Sequence, residues 1–284
     1  MKKSNLFYLV LMLFSTLGFA QNSNEQSLLW KIEGNDLSNP SYIYGTYHMM
    51  CASDYIIKDK VTKALGNSEQ FVMEVNYSDP NLMSEMQSIM MNGKKIGEIF
   101  SADQQELLKK YLPKYGYDYE FASQLSPVVL NSMLMVKYFD CGPESLKMMD
   151  TDLMSKALST GKKVVGLETA QQQMEMLGAL LSNDDLLKSI SRLEENKAFT
   201  QKFVQVYKTE NLDSLNSMMR DKDQMTEAQI IQLLDKRNMD WLTKMPKLMK
   251  EKSTFFAVGA GHLGGKNGVL NLLKDKGYKI TPIY

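Results

Sequence analysis

Histidine is used twice in 284 residues, and both copies close the same short motif. Gly45-Thr46-Tyr47-His48 and Gly259-Ala260-Gly261-His262 are both G-x-x-H, each follows a strand-like run, and they stand near opposite ends of the chain. Imidazole is the side chain best matched to proton transfer near neutral pH and the commonest metal ligand. With 17 glycines in the chain, a glycine three places ahead of both histidines arises by chance about 0.4% of the time, so the matched pair reads as two parts of one site. Taken singly, each has an ordinary alternative: His48 as a hydrogen-bonded core histidine, His262 as the cap of a turn. Two acids belong with them. Glu74 interrupts the apolar run Phe71-Val72-Met73-Glu74-Val75. A carboxylate buried there requires a cation, a donor or a metal; a strand with one wet face is the alternative. Glu168 closes Lys163-Val164-Val165-Gly166-Leu167-Glu168, and its alternative is an acid meeting the dipole of the next helix. Arg237, in LLDKRNMDWL, reads by default as a surface or ion-paired arginine. Asp152, in MMDTDLMSKAL, reads as a helix start.

Distant segments must be folded together to join these residues. Ser27–Glu33 alternates apolar and polar residues, Ser41–Tyr44 is short and aromatic, and the turn formers between them predict a hairpin. Residues 71–75, 163–168 and 254–258 read as buried strands, and Lys279–Tyr284 as an edge strand because Pro282 cannot donate to a ladder. Helical spacing is predicted over 57–65, 104–111, 127–139, 152–158, 170–181, 184–207, 212–220, 226–250 and 265–274, with Ser101 as a cap and Thr226 with Gln229 as a capping box. The fold class expected is α/β: a mixed central sheet formed from N- and C-terminal segments, with a large helical insertion in the middle. Ligands of open α/β sheets gather at the carboxyl ends of the strands, where His48, Glu74, Glu168 and His262 all fall. Gly45 and Gly259 would let the backbone turn sharply there. One site requires the two rings and the Glu74 carboxylate to converge within roughly 8 Å.

Lys2 and Lys3, the apolar stretch from Leu6 to about Phe14, and Gly18-Phe19-Ala20 form an export signal over residues 1–20, leaving one domain over 21–284. The stretch is too short for a confident span, although an uncleaved anchor is the alternative, and no later segment approaches one. The protein is therefore expected to be exported, to the periplasm or the medium, with no stable membrane span after cleavage. Basic and acidic residues balance at 33 each, which gives no footing for nucleic acid. In an oxidising compartment Cys51 and Cys141 are expected to pair, closing a loop worth about 4–5 kcal/mol. Two buried thiols, or a thiolate ligand from Cys51, are the alternatives. The 22 methionines suit an adaptable core and an apolar binding surface.

With these motifs the chain resembles the TraB/GumN superfamily, which includes the Tiki metalloproteases and is distantly related to the erythromycin esterases. The resemblance rests on both G-x-x-H motifs, Glu74 in FVMEV, Arg237 in KRN, Gly166-Leu167-Glu168-Thr169 and the ending VGAGHLGGKNGVLNLLKDKGYKI. It implies an exported hydrolase cutting a peptide or amide bond with a metal-activated water. His48, His262 and Glu74 would be the ligands, with Glu74 alternatively the general base. Glu168 would orient a histidine, and Arg237 would steady a substrate carboxylate or oxyanion. Two imidazoles with carboxylates suit Mn²⁺, Co²⁺ or Zn²⁺. The rivals are a metal-independent, esterase-like hydrolase using histidine as base, and a non-catalytic protein that binds a peptide or small ligand. The chain has no H-E-x-x-H helix and no G-x-S-x-G elbow, so neither an ordinary zincin nor a serine hydrolase fits. The sequence sets no oligomeric state.

Overall fold

A computed structural model describes residues 26–284, with side chains 88–92 left aside. The expected export signal lies outside the described residues. Among those described are eight strands: β1 (Leu29–Glu33), β2 (Ser41–Thr46), β3 (Met50–Cys51), β4 (Gln70–Val75), β5 (Leu146–Lys147), β6 (Lys163–Glu168), β7 (Thr254–Gly259) and β8 (Lys279–Pro282). Six form one mixed sheet in the order β6-β4-β7-β2-β1-β8. The four strands from β6 to β2 run parallel, while β1 and β8 are antiparallel to their neighbours. The N-terminal hairpin and the C-terminal edge strand are both present, and the α/β expectation holds.

The central strands β2, β4 and β7 are buried at every position, as parallel strands covered on both faces should be. Phe71 stacks on Phe255 across the β4–β7 pair, with ring centroids 6.0 Å apart. The 149–159 helix adds Met149, Leu153 and Ala157 to this core, and the 236–251 helix adds Trp241, Leu242, Met245 and Met249. A second apolar cluster, with Ile96, Leu108, Leu130, Leu134, Leu186 and Ile190 among its members, belongs to the helical insertion. Part of the helical middle therefore has a core of its own, while Phe203, Tyr207, Leu212 and Leu215 from its later helices join that of the sheet.

The helices depart from the pattern at informative places. The expected 184–207 helix is two, Asn183–Ser191 and Leu193–Lys208, broken at Arg192. The expected 226–250 helix begins with the foreseen capping box at Thr226 and Gln229, but passes through a π turn at Ile231–Asp235 before continuing as Lys236–Glu251. Asp152 does not start its helix. That helix runs Met149–Ser159, and Asp152 instead accepts a hydrogen bond from the Tyr55 hydroxyl at 2.7 Å. The sequence pattern also misses the small antiparallel β3–β5 ribbon, beside which the Cys51–Cys141 disulfide ties β3 to the segment ahead of β5. Both cysteines are consumed there, so Cys51 is not a ligand.

Candidate active site

The expected residues gather at the carboxyl ends of the parallel strands. Glu74 is the penultimate residue of β4 and Glu168 the last of β6. His48 follows β2, His262 ends the short turn Ala260–His262 after β7, and Arg237 faces them from the 236–251 helix. Gly259 marks where they meet. A methyl group on its α-carbon would lie 3.3 Å from Glu74 Oε1, 3.4 Å from His48 Nε2 and 3.6 Å from His262 Cδ2. That satisfies the convergence required of one site. The role of the glycine is closeness of approach, not the expected turn, since its φ of −52° is open to any residue. Gly45 serves packing in the same way: a methyl there would lie 2.8 Å from Leu263 and 3.0 Å from the Ala260 α-carbon.

Glu74 is buried, not on a wet strand face, and both its oxygens are engaged. Oε1 accepts from the Gly259 N–H at 2.8 Å, and Oε2 accepts from Arg237 at 2.6 Å and Gln173 at 3.2 Å. Burial works against its charge. The two imidazoles, Arg237 and the Gly259 N–H more than reverse that and hold the carboxyl well below the usual range. His262 is itself neutral, so the attraction that persists comes from His48 and Arg237.

Arg237 is an interior hub. Its Nε and one terminal nitrogen donate to the two oxygens of Glu168 at 2.8 and 3.0 Å, the bidentate pairing that fits guanidinium to carboxylate. The other terminal nitrogen donates to the Leu233 carbonyl and to His262 Nε2, both at 3.1 Å. Glu168 also accepts from the Trp241 indole at 2.8 Å. The dipole of the following helix is not the reason for Glu168, because Thr169 and Gln172 cap that helix between them.

The two histidines are held by different partners to the same end. His262 Nδ1 lies 2.7 Å from Asn238 Oδ1, and the Asn238 amide nitrogen is spent on the His262 and Asn267 carbonyls. The asparagine oxygen can only accept, so Nδ1 carries the proton and Nε2 presents a lone pair inward. Burial lowers the His262 pKa to about 3, helped by the nearby charges of Arg237 and His48. His48 Nδ1 lies 2.7 Å from Asp150 Oδ2, while Asp150 Oδ1 accepts from Thr46 at 2.7 Å. Surrounding protein opposes a charge on His48, but the hydrogen bond and attraction of Asp150, with Glu74 beyond it, hold its pKa up at about 9. Its side chain is 58% exposed, against 5% for His262, so His48 is the solvent-facing member of the pair.

Sequence reasoning missed Asp150, Asn238 and Trp241. Trp241 had a signal, since it lies four residues after Arg237 on the same helical face and its ring takes the guanidinium at 5.0 Å. Asp150 had none, because its partner is 102 residues away.

A family model described as TraB/PrgY/gumN matches residues 28–282. The chain belongs to the TraB/PrgY/gumN family. Among curated family relatives, a protein named metalloprotease TIKI2 from Danio rerio is 24% identical, over 89% of this chain and 60% of its own length. One named metalloprotease TIKI1 from Homo sapiens is also 24% identical, over 92% of this chain and 62% of its own. The chain thus spans about three-fifths of these TraB-family relatives. No solved structure matches.

The relatives' names bring a metal into question. Among the described residues no group of three or more His, Cys, Asp or Glu side chains is placed to hold a metal ion. Glu74 Oε1 and His262 Nε2 are 3.8 Å apart, and the Arg237 guanidinium contacts both residues. The donor chemistry fits nonetheless. Both histidines are tethered through Nδ1, so Nε2 is the atom each could offer a metal, with an acceptor behind the ring as is usual for a metal-bound imidazole; at His262 that lone pair is held by Arg237, which would have to release it. Glu74 and Glu168 bind the one arginine, and a third carboxylate, Asp150, binds His48. With His48 neutral, that leaves two negative charges for a divalent cation to balance. No helix among the described residues is long and apolar enough to cross a membrane.

Proposed function

We propose that this protein is an exported hydrolase of peptide or amide bonds whose reaction takes place around Gly259. The observation that carries this reading is the convergence of His48 Nε2, Glu74 Oε1 and His262 on the Gly259 α-carbon. Support also comes from the metalloprotease names of distant relatives. His48, Glu74 and His262 would hold a divalent metal of the Mn, Co or Zn kind, which when bound supplies a hydroxide-like water near neutral pH and polarises a carbonyl. The chain's own residues do the rest. Asp150 and Asn238 fix the rings with Nε2 inward. His48 would have to give up its Nε2 proton to serve as a ligand, whereas Glu74 is already ionised. Arg237, locked by Glu168 and seated over Trp241, presents positive charge where an oxyanion develops. Export rests on the leader and on the disulfide.

A second reading is favoured by Arg237 itself. Its guanidinium already ties Glu74, Glu168 and His262 together, and a positive group there can serve an ester or amide hydrolase without metal. His48, exposed and backed by Asp150, would then be the general base.

Metal content separates the two. Residues 21–284, loaded with Mn²⁺, Co²⁺ or Zn²⁺ and desalted, should retain about one ion per chain, and the His48→Ala/His262→Ala double variant should retain none. Peptide hydrolysis that survives a chelator in protein retaining no ion would favour the second reading.

A further inference from the structure

Two nitrogens hold the same pair of carboxylate oxygens beside the Gly259 centre. One terminal nitrogen of Arg237 donates to Glu74 Oε2 at 2.6 Å and to Glu168 Oε2 at 3.0 Å. Gln173 Nε2 reaches the same two atoms, at 3.2 and 3.5 Å. The turn out of β6 puts it there. Glu168 ends the strand, Thr169 caps the 170–180 helix in a box with Gln172, and the Gln173 N–H donates back to the Thr169 carbonyl at 3.2 Å. Helical side chains lean towards the N-terminus, so Gln173 extends back over the strand end.

This clamp decides how the carboxamide is turned. Carboxylate oxygens only accept, so the nitrogen of Gln173 faces both acids and its oxygen faces away. Glu74 is ionised, which makes the reverse setting repulsive. Gln173 is half-buried, and no described residue donates to its Oε1. No sealed side-chain oxygen among the described residues lacks a partner, so Oε1 is open to solvent. Clefts of about 570 and 300 Å³ both have Glu168 in their lining, which brings ligand-sized space up to the clamp.

An oxygen fixed by its own nitrogen is a pre-oriented acceptor, and its complement is an N–H. In an extended chain the N–H and C=O of one residue point to the same side. A residue whose carbonyl meets Arg237 can therefore turn its own N–H to Gln173. We propose that Gln173 is a substrate-recognising residue whose Oε1 accepts the backbone N–H of the peptide residue whose carbonyl meets Arg237. That the guest is a peptide to be cut rests on the hydrolase reading above. The setting of the carboxamide rests on the clamp alone.

The test is binding, read without turnover by ligand-observed NMR on the metal-free protein. The probes are acetyl-Leu-Gly-Leu methylamide and three depsipeptides, each with an ester oxygen in place of one residue N–H. One depsipeptide should bind about tenfold more weakly than the parent, the worth of one hydrogen bond. The Gln173 side-chain amide signals, assigned by their absence from Gln173→Met, should shift with the parent. Gln173→Lys keeps a donor for the two acids but has no acceptor, and Gln173→Met has neither. Each variant should bind the parent and that depsipeptide alike. Equal binding of all four probes to wild type, binding of none, or discrimination that survives in Gln173→Lys would overturn the role of Gln173. Discrimination in binding with no hydrolysis of the parent by metal-loaded protein would sink the hydrolase and leave Gln173 in its role. Hydrolysis of the parent and all three depsipeptides at one rate would do the reverse.

Discussion

Asp150 decides what His48 can do. It accepts from the imidazole Nδ1 while Thr46 holds its other oxygen, so when the ring loses a proton it is the Nε2 proton, facing Gly259, that leaves. We expect Asp150→Ala to leave the fold intact and to lower metal retention and kcat/KM by roughly 10–100-fold, the usual effect of removing the acceptor behind a ligand histidine. With two histidines in the whole chain, ring nitrogen NMR reads the tautomer of each directly at a pH where the ring is neutral, above about 9 for His48, and an unchanged His48 tautomer in the variant would contradict this assignment. The same two residues give the metal-free protein a characteristic pH profile. His262 titrates near 3 in the fold and near 6.5 when unfolded, so between those values the unfolded chain binds the extra proton and stability falls as pH falls. Glu74, held below its ordinary carboxylate value, adds to that loss below about pH 4.5. His48 runs the other way. Its folded value of about 9 makes its contribution complete below 6.5 and lost as pH rises through 9. The melting temperature of the apoprotein should therefore peak near pH 6.5. His48→Gln should flatten the alkaline side and leave the acid side in place.

At the scale of elements, the two motif glycines look alike and serve different ends. Gly259→Ala sets a methyl among Glu74, His48 and His262. We expect activity to fall by about a hundredfold with little change in melting temperature, as for a small misplacement of reacting groups. Gly45→Ala instead presses on Leu263 and the backbone of Ala260. That is overpacking, and it should cost about 1–3 kcal/mol in a denaturant titration. Sequence could find both positions because a strand, a glycine and a histidine are neighbours along the chain. It could find Glu74 and Glu168 because an acid in or closing an apolar strand breaks a local pattern. It gave the wrong reason for the glycines, since close approach depends on what arrives from elsewhere. It could not find the π turn before Arg237 or the break at Arg192, as helical periodicity continues through both. Nor could it choose Asp150 over Asp152 in MMDTDLMSKAL: the two differ only in which distant side chain, His48 or Tyr55, each one meets.

On the scale of the whole molecule, the sheet is a frame whose parallel strands come from residues far apart in the chain, and the site is the meeting point of their ends. The insertion with its own apolar cluster can be altered there without disturbing that frame. One cross-link bears on both. Cys51 lies three residues beyond His48, and Cys141 lies nine before Asp150, so the disulfide ties together the two segments that carry the pair. Cys51→Ser/Cys141→Ser should lower stability by about 4–5 kcal/mol in denaturant, the loop-closure value for a separation of 90 residues. Its effect on activity under conditions where the protein remains folded should resemble that of Asp150→Ala, because the same pair is loosened. A chain still in a reducing compartment would then hold every reacting residue and yet work at a fraction of its rate. On the export reading proposed above, oxidation on leaving the cell would restore that rate and spare the proteins of the cell that makes it.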